Sequence, residues 1–333
     1  MVFFLTFFLT QASFAYDPWF TGPFFAESGK TIPKGHSQLF LTGYYTSSDA
    51  IYDNLWMLES TSPYRTIEIN PQFTYGLTDS MDVEWDILYQ NNRTMGKTRQ
   101  AMGDTAILLG FQLLDSEKIS TSIRLTLEEI IPTGRYERLS SANHGTDATG
   151  LGSYQSLVGL NIEHSSLIQE TYTLKSLLSI DYLYPTETKI EGISTFGGNP
   201  LTRGTIKPGN VFTFDLAEEL SLTQHWVAVL EGYFLFENAS KFKGDVGKFK
   251  SLRALDPTQR ERVIDRLHGL FPSRHNIGKL GVGNDNVGEF TFAPGLEYNF
   301  TENCGLIMGS WFTVAGKNTP SFNSIIVGLN TYF

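Results

Sequence analysis

Hydrophobic and polar residues alternate one by one through much of this chain. Met81, Val83, Trp85, Ile87 and Tyr89 interleave with Asp82, Glu84, Asp86 and Gln90. Ile67, Ile69 and Phe73 interleave with Glu68, Asn70, Gln72 and Thr74, and Trp226, Ala228, Leu230, Phe234 and Phe236 with Glu231 and Glu237. Phe290, Phe292, Leu296 and Tyr298 do the same with Thr291 and Glu297. A period of two is that of an extended strand, whose side chains point alternately to opposite faces. From His36 onward such segments recur with gaps of two kinds. Short gaps lie near 76–80, 115–118, 166–171, 223–225 and 301–303; long ones lie near 46–64, 91–103, 132–152, 186–210, 238–287 and 316–320. That rhythm predicts about twelve antiparallel strands, with tight turns at one end and long loops at the other.

Three of the tight turns repeat one design: Tyr75-Gly-Leu-Thr-Asp-Ser-Met, Leu220-Ser-Leu-Thr-Gln-His-Trp and Tyr298-Asn-Phe-Thr-Glu-Asn-Cys. Short hydrogen-bonding residues suit such turns, and recurrence of one unit marks a repeating architecture. One stretch breaks the strand pattern. Residues 256–269 open on Asp256 followed by Pro257 and close on Gly269, which predicts a short helix within the longest loop. Its apolar stripe of Val263, Ile264 and Leu267 fits a loop packed over the mouth or a constriction there.

Alternation alone also fits a soluble sandwich. The hydrophobic fraction is 41% and the mean hydropathy is −0.14, values a membrane barrel shares because only every second residue faces lipid. Aromatic residues make up 14% and there are 31 glycines, which fits a barrel with interfacial rings. Residues 1–15 form an apolar run closed by Ser13-Phe14-Ala15, the pattern of a cleaved secretory signal. An open sheet cannot span lipid, because its edge N–H and C=O groups would stay unpaired. The fold class expected is therefore all-β, a transmembrane antiparallel up-and-down β-barrel spanning 36–333, with 16–35 as a tail at the inner rim, the slightly favoured placement, or a small plug.

The chain closes on SFNSIIVGLNTYF, with Ile325, Val327, Leu329 and Phe333 on one side of a strand. This resembles the last strand of bacterial outer-membrane barrels, in which the terminal aromatic is read by the barrel-assembly machinery. Residues 17–36 (DPWFTGPFFAESGKTIPKGH), Ile131-Pro-Thr-Gly-Arg-Tyr136 and the glycine-rich 145–152 are similar to those of bacterial outer-membrane transporters akin to the meta-pathway phenol-degradation barrels. The resemblance implies a porin-like barrel in the outer membrane, with lipid around it and small organic solutes passing through it.

The inward faces are expected to carry Glu68, Asp82, Glu84, Asp86, Glu128, Asp181, Asp215, Glu219, Glu231 and Glu297 against Arg124 and Lys175. A lumen of that balance favours cations; the plain alternative is a packed interior in which these carboxylates pair with Arg124, Lys175 and loop bases such as Arg93, Lys97 and Arg99. Pro71 and Pro294 fall within strands, where a missing N–H interrupts the ladder, so each marks a bulge or a lateral gap through which an apolar ligand could leave. No catalytic, metal-binding or cofactor-binding set is expected. The pair His164 and Ser166 is the nearest thing to an outer-membrane lipid hydrolase, and 283–289 to a cation loop. Cys304 has no partner for a disulfide. A net charge of −10 argues against nucleic acid. Two further classes stay open, an adhesin and a structural barrel, each acting through loops that carry Tyr52, Trp56, Tyr136 and Phe271.

Overall fold

In the computed structural model, residues 18–168, 171–247 and 281–333 are described. Residues 1–15 and the segment 256–269, expected as signal and helix, lie outside them. Twelve strands close into one barrel: β1 (Ser37–Tyr52), β2 (Leu58–Thr78), β3 (Met81–Thr94), β4 (Lys97–Ser116), β5 (Thr121–Ile131), β6 (Gln155–Ile168), β7 (Tyr172–Pro185), β10 (Val211–Ser221), β11 (Trp226–Glu237), β13 (Val287–Thr301), β14 (Cys304–Lys317) and β15 (Thr319–Tyr332). Every neighbour is antiparallel, and β1 pairs with β15 from Gln38↔Tyr332 to Tyr52↔Thr319, which removes both edges. Three short strands, β8 (Thr188–Glu191), β9 (Arg203–Lys207) and β12 (Lys241–Asp245), form a separate sheet within two of the outer loops.

The alternation sorts as expected. Ile67, Ile69, Phe73, Trp85, Ile87, Leu230, Phe236, Ile325, Val327 and Leu329 are exposed on the outside, where lipid rather than water would cover them. Asp82, Asp215, Glu219, Glu231 and Glu297 are buried within. A carboxylate on the lipid side would have no such shelter.

Three outer connections are far tighter than their spacing suggests. The gaps at 46–64, 91–103 and 316–320 are mostly strand: β3 turns into β4 through Met95 and Gly96, and β14 into β15 through Asn318. Met95, Gly96 and Asn318 all have positive φ (47°, 75° and 52°), the geometry that tight hairpins demand. Polar composition in these stretches thus belongs to strands, not to loops. The prolines do not open the wall either. Ile69↔Tyr89 resumes as Gln72↔Asp86 across Pro71, and Phe292↔Phe312 resumes as Gly295↔Gly309 across Pro294, with no change of register. Pro71 also stands opposite Leu41 and Pro294 opposite Leu230 in the other neighbouring strands. The lateral gap expected as one reading of these residues is absent there.

Candidate functional site

The interior is organised by the arm that precedes β1. Its sequence, FTGPFFAESGKTIPKG over residues 20–35, carries Pro23, Pro33 and several glycines, so it cannot continue a ladder. Its backbone N–H groups must therefore find other acceptors, and the wall supplies them. Near the turn between β10 and β11, the Trp19 N–H donates to the Gln224 carbonyl at 3.2 Å, and its ring meets His225 edge-on at 4.9 Å. The Thr21 N–H donates to Glu297 at 2.8 Å. Phe24, Phe25 and Ala26 all donate backbone N–H groups to the Glu231 carboxylate, at 3.0, 3.0 and 2.6 Å. Glu27 N–H reaches Ser179, Ser28 Oγ reaches Glu163, Thr31 N–H reaches Gln112, and Ile32 N–H reaches Asp82, all at 2.8–3.0 Å. Gly35 N–H finally donates to Gly76 at 2.9 Å.

These acceptors sit on β13, β11, β7, β6, β4, β3 and β2, the order in which the wall arranges them. The arm thus rises from the tight-turn end, runs around the inside and returns to the same end. A tail along the rim, the placement the sequence slightly favoured, does not describe these contacts. The wall makes room for the arm with glycine. A Cβ on Gly76 would fall 2.0 Å from the Pro33 carbonyl oxygen, and one on Gly305 1.9 Å from Thr21 Oγ1.

One side of the lumen is apolar. Phe24 is buried among Val227, Val229, Ala293, Ile307 and Ile326, with Phe20, Phe25, Phe40, Tyr44 and Trp311 packed around them. Phe25 and Trp311 rings lie 4.6 Å apart. Burying such a ring contributes about 1.5–3 kcal/mol. The interior is therefore not uniformly acidic, which alternation could not reveal because it distinguishes only inside from outside.

The predicted lumen residues divide among distinct roles. Asp82, 1% exposed, pairs with Arg124, 3% exposed, at 2.7 Å, and Arg124 also holds Glu27 of the arm at 3.0 Å. Lys175 pairs with Glu219 at 2.8 Å and lies 4.4 Å above the Phe20 ring. Glu231 and Glu297 hold the arm, and Asp215 sits beside Glu231. Glu84 accepts from Thr74, Asp181 from Thr213 and Glu68 from Gln90, at 2.8–3.0 Å, and Asp86 accepts from Asn70. Asp82, Glu84, Arg124 and Lys175 line a cavity of about 700 Å³ beneath the arm, whereas Asp86 and Glu128 line another of about 490 Å³ toward the outer loops. Of the loop bases expected as partners, Arg99 donates instead to Asn143 at 3.2 Å. The principal partners of Glu231 and Glu297 are backbone groups, which side-chain charge counting overlooks.

His164 bonds Thr121 Oγ1 at 2.9 Å at the tight-turn end. In 283–289, Asn284, Asn286 and Glu289 are engaged by Ser240, Asn318 and Thr319 as hairpin ties. Among the described residues no group of three potential metal ligands gathers.

No family model matches the chain, and no curated protein matches it. Among solved structures, an outer-membrane channel from Pseudomonas putida F1 is similar over 91% of this chain and 97% of that one, at a TM-score of 0.62 and 13% identity. The NanC porin is similar over 88% and 98%, at 0.44 and 9% identity. The translocator domain of the autotransporter NalP from Neisseria meningitidis is similar over 89% and 88%, at 0.43 and 9% identity. What the first of these likenesses establishes is the barrel architecture.

Proposed function

We propose that this chain is a channel of the bacterial outer membrane for the diffusion of small organic or cationic solutes, held shut by its own N-terminal arm. The observation that carries the reading is the set of hydrogen bonds from the arm to lumen side chains, above all the three that converge on Glu231. A structural barrel could fill its interior with wall side chains alone. Here a separate segment runs along the inner wall and is tied mainly through side-chain acceptors, with backbone pairing where it meets the rim. Ordering each residue of the arm costs about 1–2 kcal/mol of backbone entropy. Hydrogen bonds to charged groups return about 1.5–3 kcal/mol each.

With the arm displaced, the acidic wall would meet water and favour cations. The P. putida protein's description as a channel agrees with this reading. Insertion through the barrel-assembly machinery, with Phe333 on the outer surface as the recognised residue, belongs to the same reading.

Planar-bilayer recording tests it. The full chain should show low or intermittent conductance, and a variant lacking residues 18–34 should show large, steady, cation-preferring steps. Absence of conductance from both, with the barrel folded by heat-modifiable gel mobility, would favour an adhesin or structural barrel instead.

A further inference from the structure

The small outer sheet carries a second feature, unrelated to the lumen. Its strands also alternate. Ile190, Ile206 and Phe242 turn inward and pack with Tyr136, Leu151, Phe196 and Val282. The opposite face carries Lys189, Lys207, Lys241 and Lys243. Lys241 stands directly across from Lys207, and Lys189 and Lys243 stand on either side of Thr205. Like charges directly opposite one another are destabilising unless something neutralises them. Among the described residues, only Glu187 makes an ion pair with any of the four, holding Lys243 at 3.1 Å. The far end of the same face is balanced, with Glu191 bridging Arg138 at 2.5 Å and Arg203 at 3.3 Å.

The unbalanced end is the one that joins the barrel wall. Lys207 comes four residues before β10 begins at Val211, and Lys241 four after β11 ends at Glu237. The Lys207 ammonium lies 3.9 Å over the Tyr184 ring. Tyr184, Tyr182, Phe212 and Phe236 are exposed on the outside of the barrel, an aromatic belt of the kind that marks the headgroup boundary. Lysines immediately above such a belt sit at the depth of lipid phosphates.

We propose that the lysine face of this sheet binds the phosphate groups of an anionic lipid in the outer leaflet, a phosphorylated glycolipid, with Lys189, Lys207 and Lys241 as its contacts. The proposal rests on the membrane reading above but not on conductance. The chemistry is charge complementarity: three ammonium groups without carboxylate ion-pair partners among the described residues, in a chain whose net charge is −10, gathered on one face of the small sheet.

The test is equilibrium binding of fluorescent diphosphoryl lipid A to the full chain in neutral detergent at low salt. The K189Q/K207Q/K241Q variant should bind at least tenfold more weakly, and the corresponding triple arginine variant should retain binding. Lipid A stripped of both phosphates should bind wild type no better than the triple glutamine variant binds the intact lipid. Equal affinity of the wild type and the triple glutamine variant, both folded by heat-modifiable mobility, would overturn the proposal. So would full competition by low-millimolar inorganic phosphate, which would mean that a free anion suffices. Conductance recorded on the same preparations separates the two readings, because the three lysines lie outside the lumen. Absence of conductance from both the full chain and the arm-deleted variant, with phosphorylated lipid still bound, sinks the channel and leaves this site standing.

Discussion

Arg124 is the residue on which the charged side of the interior turns. It is buried, holds Asp82 of the wall and Glu27 of the arm, and thereby ties one to the other. Removing one partner of a buried ion pair costs about 3–5 kcal/mol, because the remaining charge is left unsolvated. Arg124→Met should therefore lower the unfolding free energy of the refolded barrel by that order in a urea titration, and an unchanged midpoint would show that water already reaches Asp82. Gly110 makes the same point by steric means. A Cβ there would fall 2.1 Å from Asp82 Oδ1 and 2.3 Å from Arg124 Nε. Gly110→Ala should destabilise the barrel by about 1–3 kcal/mol, in the range of other overpacking changes, measured in the same titration.

At the scale of elements, the arm and the wall are separate pieces joined by long-range contacts. Glu231 is the strongest anchor, with three backbone donors. Glu231→Ala leaves those N–H groups buried without acceptors, each costing about 1–3 kcal/mol. The expected outcome is release of the arm, read as faster proteolysis at Lys30 or Lys34 and as higher conductance. Glu68→Gln alters a lumen carboxylate that bonds only Gln90 among the described residues, so the arm should stay as protected as in the parent. Equal protection in both variants would mean that the remaining ties, among them Glu297, Asp82, Arg124 and the apolar pocket of Phe24, hold the arm without Glu231.

For the whole molecule, the prediction concerns selectivity. Asp82, Glu84 and Asp86 lie in one strand and reach two different cavities, Asp82 and Glu84 the inner and Asp86 the outer. A solute crossing the lumen would pass both. In the arm-deleted channel, the triple change to Asn, Gln and Asn should reduce the cation preference, seen as a reversal potential moving toward zero in a salt gradient. Anion preference in the channel before substitution would end the idea that the carboxylates set selectivity.

Much of the wall was legible in the chain itself. Alternation along Met81–Tyr89 and Ile325–Phe333 identified which face turns outward, because a closed barrel gives every second residue of a strand the same surroundings. Strand number followed from the spacing of turns, with bounds that shift by several residues at the outer hairpins near 46–64 and 91–103. The arm was not legible, because its acceptors are remote: Phe24 and Glu231 are separated by 207 positions, and no local pattern links a Gly- and Pro-rich segment to a carboxylate so far along. The tight outer hairpin at Met95-Gly96 lacked the Asn-Gly signature that would have announced it. Local periodicity therefore determined the secondary structure and the exterior, each residue answering to its immediate neighbours and to the face it occupies. Closure of the barrel decided the rest. It brought distant strands around one arm, divided the interior into an apolar side and a charged side, and set four lysines from three short strands on one face of the small outer sheet.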